Sequence, residues 1–196
     1  MTVGVVQIFE SHTKLDVATC DMFDTVVARV GIKAFRSEYE EMKPPAWETI
    51  KNKIKLSKAL FLLVGEELVK AQAQRSDDWK FTQNWIAYEV GLACAMEIDV
   101  WVVCNGTYIN FPVPYLNNYV IGTIKINSKF YRKILQNYCD GQSFPFGYDN
   151  SRTVTCPNFG CGAKFNFHTQ EDKDDEIICP TCLNLIPFPE GFPYEK

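Results

Sequence analysis

Over the first 140 residues, short apolar runs alternate with stretches in which apolar side chains recur every three to four positions. The runs are VGVVQIF (3–9), IKAF (32–35), ALFLLVG (59–65), VWVVC (100–104) and NNYVIGTIKI (117–126). Their length and β-branched content predict strands. Between the first two, Asp16 to Val30 has helical spacing, with Leu15, Val17, Met22, Phe23, Val26, Val27 and Val30 forming one apolar face and Gly31 ending the helix. Trp47 to Ser57 repeats the pattern through Ile50 and Ile54. A third helix is expected from Thr82 into VGLACAMEI, and a fourth from Lys129 to Tyr138 with Ser128 as its cap. Strands that are apolar on both faces and alternate with helices predict a parallel sheet covered on each side. The expected fold is therefore α/β: a flavodoxin-like, doubly wound sheet of five strands over residues 1–140.

The pattern changes after residue 140. DGQSFPFGYDN is rich in Gly, Pro and polar residues, so 141–152 reads as a linker. The segment 153–196 is too short for a core of its own and needs a staple. CPNFGC and CPTC supply one: Cys156, Cys161, Cys179 and Cys182 form two knuckles of two thiols each, the donor set that tetrahedral Zn²⁺ takes, with strands in AKFNFH and EII expected to pair between them. This segment resembles a zinc ribbon. A closed four-thiolate site is structural, with no open position for a catalytic water; the competing reading is two disulfides. Cys20, Cys94, Cys104 and Cys139 are scattered through apolar segments, as free thiols are. Clustered metal-type cysteines with no secretion signal point to a reducing, cytoplasmic setting.

Composition narrows the partners. The 196 residues are 46% hydrophobic, which suits a soluble globular chain, and no run approaches the roughly 20 apolar residues of a membrane helix. The formal charge is −4, and residues 151–196 hold four Lys/Arg against seven Asp/Glu. That balance argues against nucleic acid and anionic membranes as partners. It leaves a folding clamp or a protein-docking surface as the role of the ribbon.

Glu89 is the anomaly: a carboxylate within the otherwise apolar NWIAYEVGLACAMEIDVWVVC. Burial without a partner is costly, so it is either a satisfied structural acid, capping a loop or pairing with Arg36 or Arg75, or a group that meets a ligand. Segments following the strands gather at their carboxyl ends, where open parallel sheets bind ligands. In order and content, IFESHTKLD, the stretch GIKAFRSEYEEMKPPAWETIKNKIKLSKALFLLV, and NWIAYEVGLACAMEIDVWVV resemble the first strand and serine loop, the second strand with its long loop through to the third strand, and the glutamate-bearing helix of the TIR (Toll/interleukin-1 receptor) domain family. Glu10 and Pro44-Pro45 depart from that family's pattern.

The resemblance implies cleavage of the nicotinamide–ribose bond of NAD⁺, by hydrolysis or cyclisation, of the kind found in prokaryotic antiviral signalling such as the Thoeris systems. It implies Glu89 as the catalytic carboxylate, Ser11 at the ribose or a phosphate, and Phe9, Phe35, Arg36, Trp47 and Trp85 lining the pocket. Self-association through the TIR-like domain is also implied. Two alternatives stand beside it. One is a nucleoside deoxyribosyltransferase-like enzyme with Glu89 as nucleophile; the other is a non-catalytic adaptor that recruits protein partners through the ribbon. Ser11 as a helix cap and His12 as a surface residue are the non-catalytic expectations for the first loop.

Overall fold

The computed structural model describes residues 6–36, 46–74, 77–105, 118–121, 124–125, 128–141, 152–168, 177–179, 182 and 184–186. The loop 37–45 and most of the expected linker lie outside these residues. Strand β1 (Gln7–Ser11) leads to α1 (Val17–Ala28), β2 (Lys33–Phe35), α2 (Ala46–Leu56) and β3 (Ala59–Val64). Helices α3 (Glu66–Gln74) and α4 (Asp77–Ala95) precede β4 (Asp99–Cys104), β5 (Asn118–Ile121) and α5 (Ser128–Cys139). Four short strands follow: β6 (Arg152–Thr155), β7 (Lys164–His168), β8 (Ile177–Ile178) and β9 (Leu185–Ile186).

The fold is α/β, with five helices among the described residues and four parallel strands, β2-β1-β3-β4, at its centre. β3 shows why an unbroken apolar run becomes a central strand. Leu60, Leu62 and Val64 enter one core with residues of α2, α3 and α4, while Ala59, Phe61 and Leu63 enter a second core with residues of α1 and α5. All six are buried, so both faces of the pleat contribute, at about 1.5–3 kcal/mol for each large side chain. α1 ends as its sequence requires. Gly31 takes φ +75° and returns its N–H to Ala28 O at 3.1 Å.

From β1 the chain moves outward to β2 and then crosses back to β3, so the order reverses between β1 and β3. Open parallel sheets bind ligands at such a switch point, and Ser11 ends β1 there.

Two features differ from the sequence expectation. α3 occupies a polar stretch that lacks a helical apolar stripe, and α4 begins at Asp77 rather than Thr82. The reason for α3 lies outside its own sequence. Asp16, from the loop after β1, accepts the backbone N–H groups of Glu67 and Leu68 at 2.9 and 3.0 Å, satisfying two of the helix's orphan donors. Gly65 makes room for this contact: a Cβ there would stand 2.3 Å from Asp16 Oδ1 and 2.6 Å from Thr19 Oγ1.

The second difference concerns the C-terminal strands. AKFNFH does not pair with EII: β7 pairs antiparallel with β6, and β8 with β9. Each knuckle is thus the turn of its own hairpin. The sheet also continues past five strands, because β5 lies parallel to β4 and β7 lies parallel to β5, Asn118 opposite Asn166 and Val120 opposite His168. The full order is β2-β1-β3-β4-β5-β7-β6.

The Asp16 clamp gives a direct test. Asp16→Ala is expected to lower unfolding stability by about 2–3 kcal/mol, and Gly65→Ala by a similar amount because it displaces the same carboxylate. The double variant should cost little more than either single one, read as non-additive urea midpoints.

Candidate functional site

Ser11 ends β1 at the switch point, and α4 crosses above it. Within α4, Ile86, Val90 and Ala93 face the sheet, and the helical repeat puts Glu89 on that same side. Its carboxyl meets Ser11, whose Oγ donates to Glu89 Oε2 at 2.5 Å. Ser11 therefore does not cap α1; Asp16 occupies the N-cap position of that helix. Nor does Glu89 pair with Arg36. Arg75 lies outside the described residues.

The pair is deeply enclosed, Glu89 being 3% and Ser11 1% exposed. Loss of hydration pushes Glu89 up to about 8, with the Ser11 hydroxyl pulling the other way. At neutral pH the resting protein therefore holds it largely as the neutral acid. A neutral carboxyl can both donate and accept a hydrogen bond, so the site can engage hydroxyl-bearing ligands without an ion inside the interface. Ionisation needs either a higher pH or a cationic ligand next to it.

The other expected pocket residues divide. Trp85 stands one turn before Glu89, 39% exposed, and stacks on Tyr88 with ring centroids 5.6 Å apart. Tyr88 Oη donates to the carbonyl of Trp47 at 3.4 Å, which brings the first turn of α2 beside this aromatic pair. Phe9 and Phe35 are buried against each other at 5.3 Å, behind Ser11 and Glu89 in the core, and do not line an open surface. Arg36 turns to α1, where its guanidinium donates to Asp24 at 2.7 Å and Asp21 at 3.2 Å. His12 is partly buried rather than a surface residue, its Nδ1 lying 3.0 Å from Thr13 O.

One acid escaped the sequence reading as a group in its own right. Glu10 is buried, and among the described residues neither carboxyl oxygen has a hydrogen-bond partner. Burial, then the nearby Asp24 carboxylate, drive it well above the usual range, while Arg36 opposes them. Glu10 thus lies on the face of β1 opposite the Ser11–Glu89 pair, toward Asp24 and Arg36. The signal in the sequence was a charged residue closing an apolar strand.

The four cysteines do converge. Their sulfurs lie within 4.8 Å of one another, with Cys156–Cys182 at 3.6 Å and Cys161–Cys179 at 3.7 Å. A metal bound at about 2.3 Å by four thiolates requires sulfurs about 3.8 Å apart, whereas a disulfide needs about 2.05 Å. The separations fit a shared metal and exclude the bridged alternative; all four are free thiols. The backbone N–H of Asn184, with Asn158 Nδ2 at 3.7 Å, lowers the Cys182 thiol to about 6, and burial raises Cys156 to about 12. Soft thiolates in this geometry select a tetrahedral metal such as zinc or iron. Cys156 and Cys179 are buried within the same apolar cluster as Ile86 and Val90.

No protein-family model matches the chain, and no curated protein matches it. A solved structure described as "Crystal Structure of drICE" aligns over 61% of this chain and 62% of that one, at 9% identity and a TM-score of 0.25. A likeness that weak carries no argument about fold or function. No helix among the described residues is long and apolar enough to cross a membrane.

The raised value of Glu89 makes stability depend on pH. The folded chain keeps this proton up to about 8, the unfolded chain only to about 4.5. Its contribution is thus complete below about 4.5 and is lost as pH rises through about 8, a change on the order of 4 kcal/mol. Glu89→Gln removes this dependence. The variant should match the parent near pH 4.5 and exceed it in denaturant midpoint above pH 8; a constant difference across that range would contradict the assignment.

Proposed function

We propose that the chain is an NAD⁺-consuming enzyme, a glycohydrolase or cyclase of the TIR type acting in antiviral signalling, on a flavodoxin-like sheet, with Glu89 as its catalytic carboxylate. One observation supports this reading above the rest: Ser11 and Glu89, distant in sequence, meet at the carboxyl edge of the sheet beside the exposed Trp85. Nicotinamide leaves NAD⁺ as a neutral molecule, so no general acid is needed at the leaving group. The difficulty is the positive charge that grows on the ribose. An ionised Glu89 stabilises that charge electrostatically and accepts from ribose hydroxyls, while Ser11 orients the carboxyl. The substrate itself promotes ionisation, because its pyridinium charge favours the carboxylate over the neutral acid.

Water attacking the anomeric carbon gives ADP-ribose and releases a proton. Attack by the adenine or a ribose hydroxyl gives a cyclic product. Trp85 and Trp47 supply aromatic surface for the nicotinamide or adenine ring. Because Glu89 and Ser11 are almost fully enclosed, substrate reaches them only when covering groups move aside. Self-association belongs to this reading, and the exposed Trp47, Phe81 and Trp85 offer apolar surface for it.

The same enclosure favours a second reading. A neutral, hydrogen-bonded Glu89 that never meets solvent suits a non-catalytic TIR-type adaptor. Its partner would then be met at the ribbon, where Phe159 projects fully exposed from the first knuckle. The deoxyribosyltransferase-like alternative requires Glu89 to attack carbon directly; nothing in its surroundings favours that over the electrostatic role.

Nicotinamide release from NAD⁺ separates the two main readings, with infected-cell extract added where activation is needed. The parent should turn over and Glu89→Gln should lose at least about 100-fold in kcat/KM. For the parent, kcat/KM should rise with pH through about 8, while kcat rises at lower pH because bound substrate favours the carboxylate. A folded parent inactive under all these conditions would leave the adaptor.

The metal of the thiolate site is proposed to be zinc, about one per chain. Metal analysis should find it in the parent and find it lost from Cys179→Ser/Cys182→Ser. Full zinc in that variant, or iron in the parent, would refute the assignment.

A further inference from the structure

The two cysteine knuckles are built alike, each on its own hairpin. Cys156 N–H donates to Ala163 O at 2.8 Å and closes the first, between β6 and β7; Cys179 N–H donates to Asn184 O at 3.0 Å and closes the second, between β8 and β9. Among the described residues no strand pairing links one hairpin to the other. The sulfurs do meet across them, Cys156 with Cys182 at 3.6 Å and Cys161 with Cys179 at 3.7 Å. Asn158 of the first knuckle also donates its side-chain N–H to Cys182 Sγ of the second, at 3.7 Å. Each knuckle presents one buried cysteine, Cys156 or Cys179, and one partly exposed, Cys161 or Cys182.

We propose that the cluster is a reversible oxidation site for a hydroperoxide, at which the bridges Cys156–Cys182 and Cys161–Cys179 form as the metal leaves. The proposal rests on the zinc reading of the site and not on the NAD⁺ reading. Four thiols can pair in three ways. Joining Cys156 to Cys179 requires oxidation to start on a sulfur shielded from the oxidant. Pairing within a knuckle and pairing across the hairpins both give each bridge one accessible sulfur, and the short contacts run across, where a pair closes from 3.6 or 3.7 Å to about 2.05 Å. The partly exposed sulfur of Cys161 or Cys182 attacks a peroxide oxygen, the O–O bond breaks, and the second oxygen takes a proton and leaves as water, so that the sulfur becomes a sulfenic acid. The buried partner's thiolate then attacks that sulfur, the S–O bond breaks, and the oxygen leaves with a second proton as water. Two thiolates, one hydrogen peroxide and two protons thus give one disulfide and two waters, and completing both bridges frees the Zn²⁺. The bridges tie one hairpin to the other in place of the metal, so a thiol reductant returns the site to its zinc-binding form.

Titration of the reduced, zinc-loaded full chain with hydrogen peroxide tests this. Released zinc is read with a chromophoric chelator, and bridges are mapped by non-reducing proteolysis and mass spectrometry. Mapping is needed in place of a thiol count because Cys94, exposed on α4, is a further target for the oxidant. Zinc release should rise in step with the Cys156–Cys182 and Cys161–Cys179 bridges, and a thiol reductant with added zinc should reverse both. Bridges within the knuckles, Cys156–Cys161 and Cys179–Cys182, would overturn the pairing. Zinc retained while Cys94 alone is oxidised would overturn the site, as would conversion of the four thiols to sulfonic acids without bridges. A parent purified under reducing conditions without zinc would instead refute the metal assignment, and with it the release step.

Discussion

A carboxyl group inside a sheet–helix interface persists there only as the neutral acid, or with a partner that compensates its lost hydration. Glu89 meets this constraint through its proton and the Ser11 hydroxyl. The arrangement requires α4 to lie directly over the end of β1, close enough for a short hydrogen bond. Strand order, helix register and the depth of the apolar layer beneath Phe9 and Val90 all have to agree for that contact to form. An apolar residue at position 89 would fit such a helix without any of these conditions.

β1 carries consequences on both of its faces. Phe9 and Ser11 point toward α4, and Glu10 points the other way, toward α1 and the Arg36–Asp24–Asp21 cluster. The two acids at this strand end share a raised affinity for protons, for related reasons: burial dominates both, and like charge from Asp24 adds to it at Glu10. The guanidinium of Arg36 is engaged with α1, so it does not neutralise the Glu89 side. The sheet separates an electrostatically dense face from one where a single hydroxyl attends the carboxyl.

What could be read from the chain followed physical range. β3 and β4 announced themselves because both faces are buried and, apart from Asp99 at the start of β4, every residue is apolar. The cysteine cluster was legible because two short knuckles, CPNFGC and CPTC, each present a pair of thiols. α3 was not, since its cap comes from Asp16, 51 positions upstream, and only Leu68 of its own residues is buried. The hairpin partners of AKFNFH and EII were misread because strands this short carry no register information; pairing was decided by which knuckle each one flanks. Glu89 stood out as a misfit, but its partner, 78 residues away, belonged to the fold and not to the local pattern. Phe9 and Phe35 resembled pocket residues only by their place in a motif. Their side chains point into the core.

The parallel seam between β5 and β7 also imposes an order on synthesis. Asn118 leaves the ribosome well before Asn166, its eventual neighbour. During that interval β5 is the outer strand of a growing sheet, with one row of backbone N–H and C=O groups lacking a strand partner. Such an edge is a template for pairing with another nascent chain. The C-terminal hairpins end that exposure, and β6, four residues long, then forms the outer border. A chain that lacked β7 would keep that edge of β5 open to pairing.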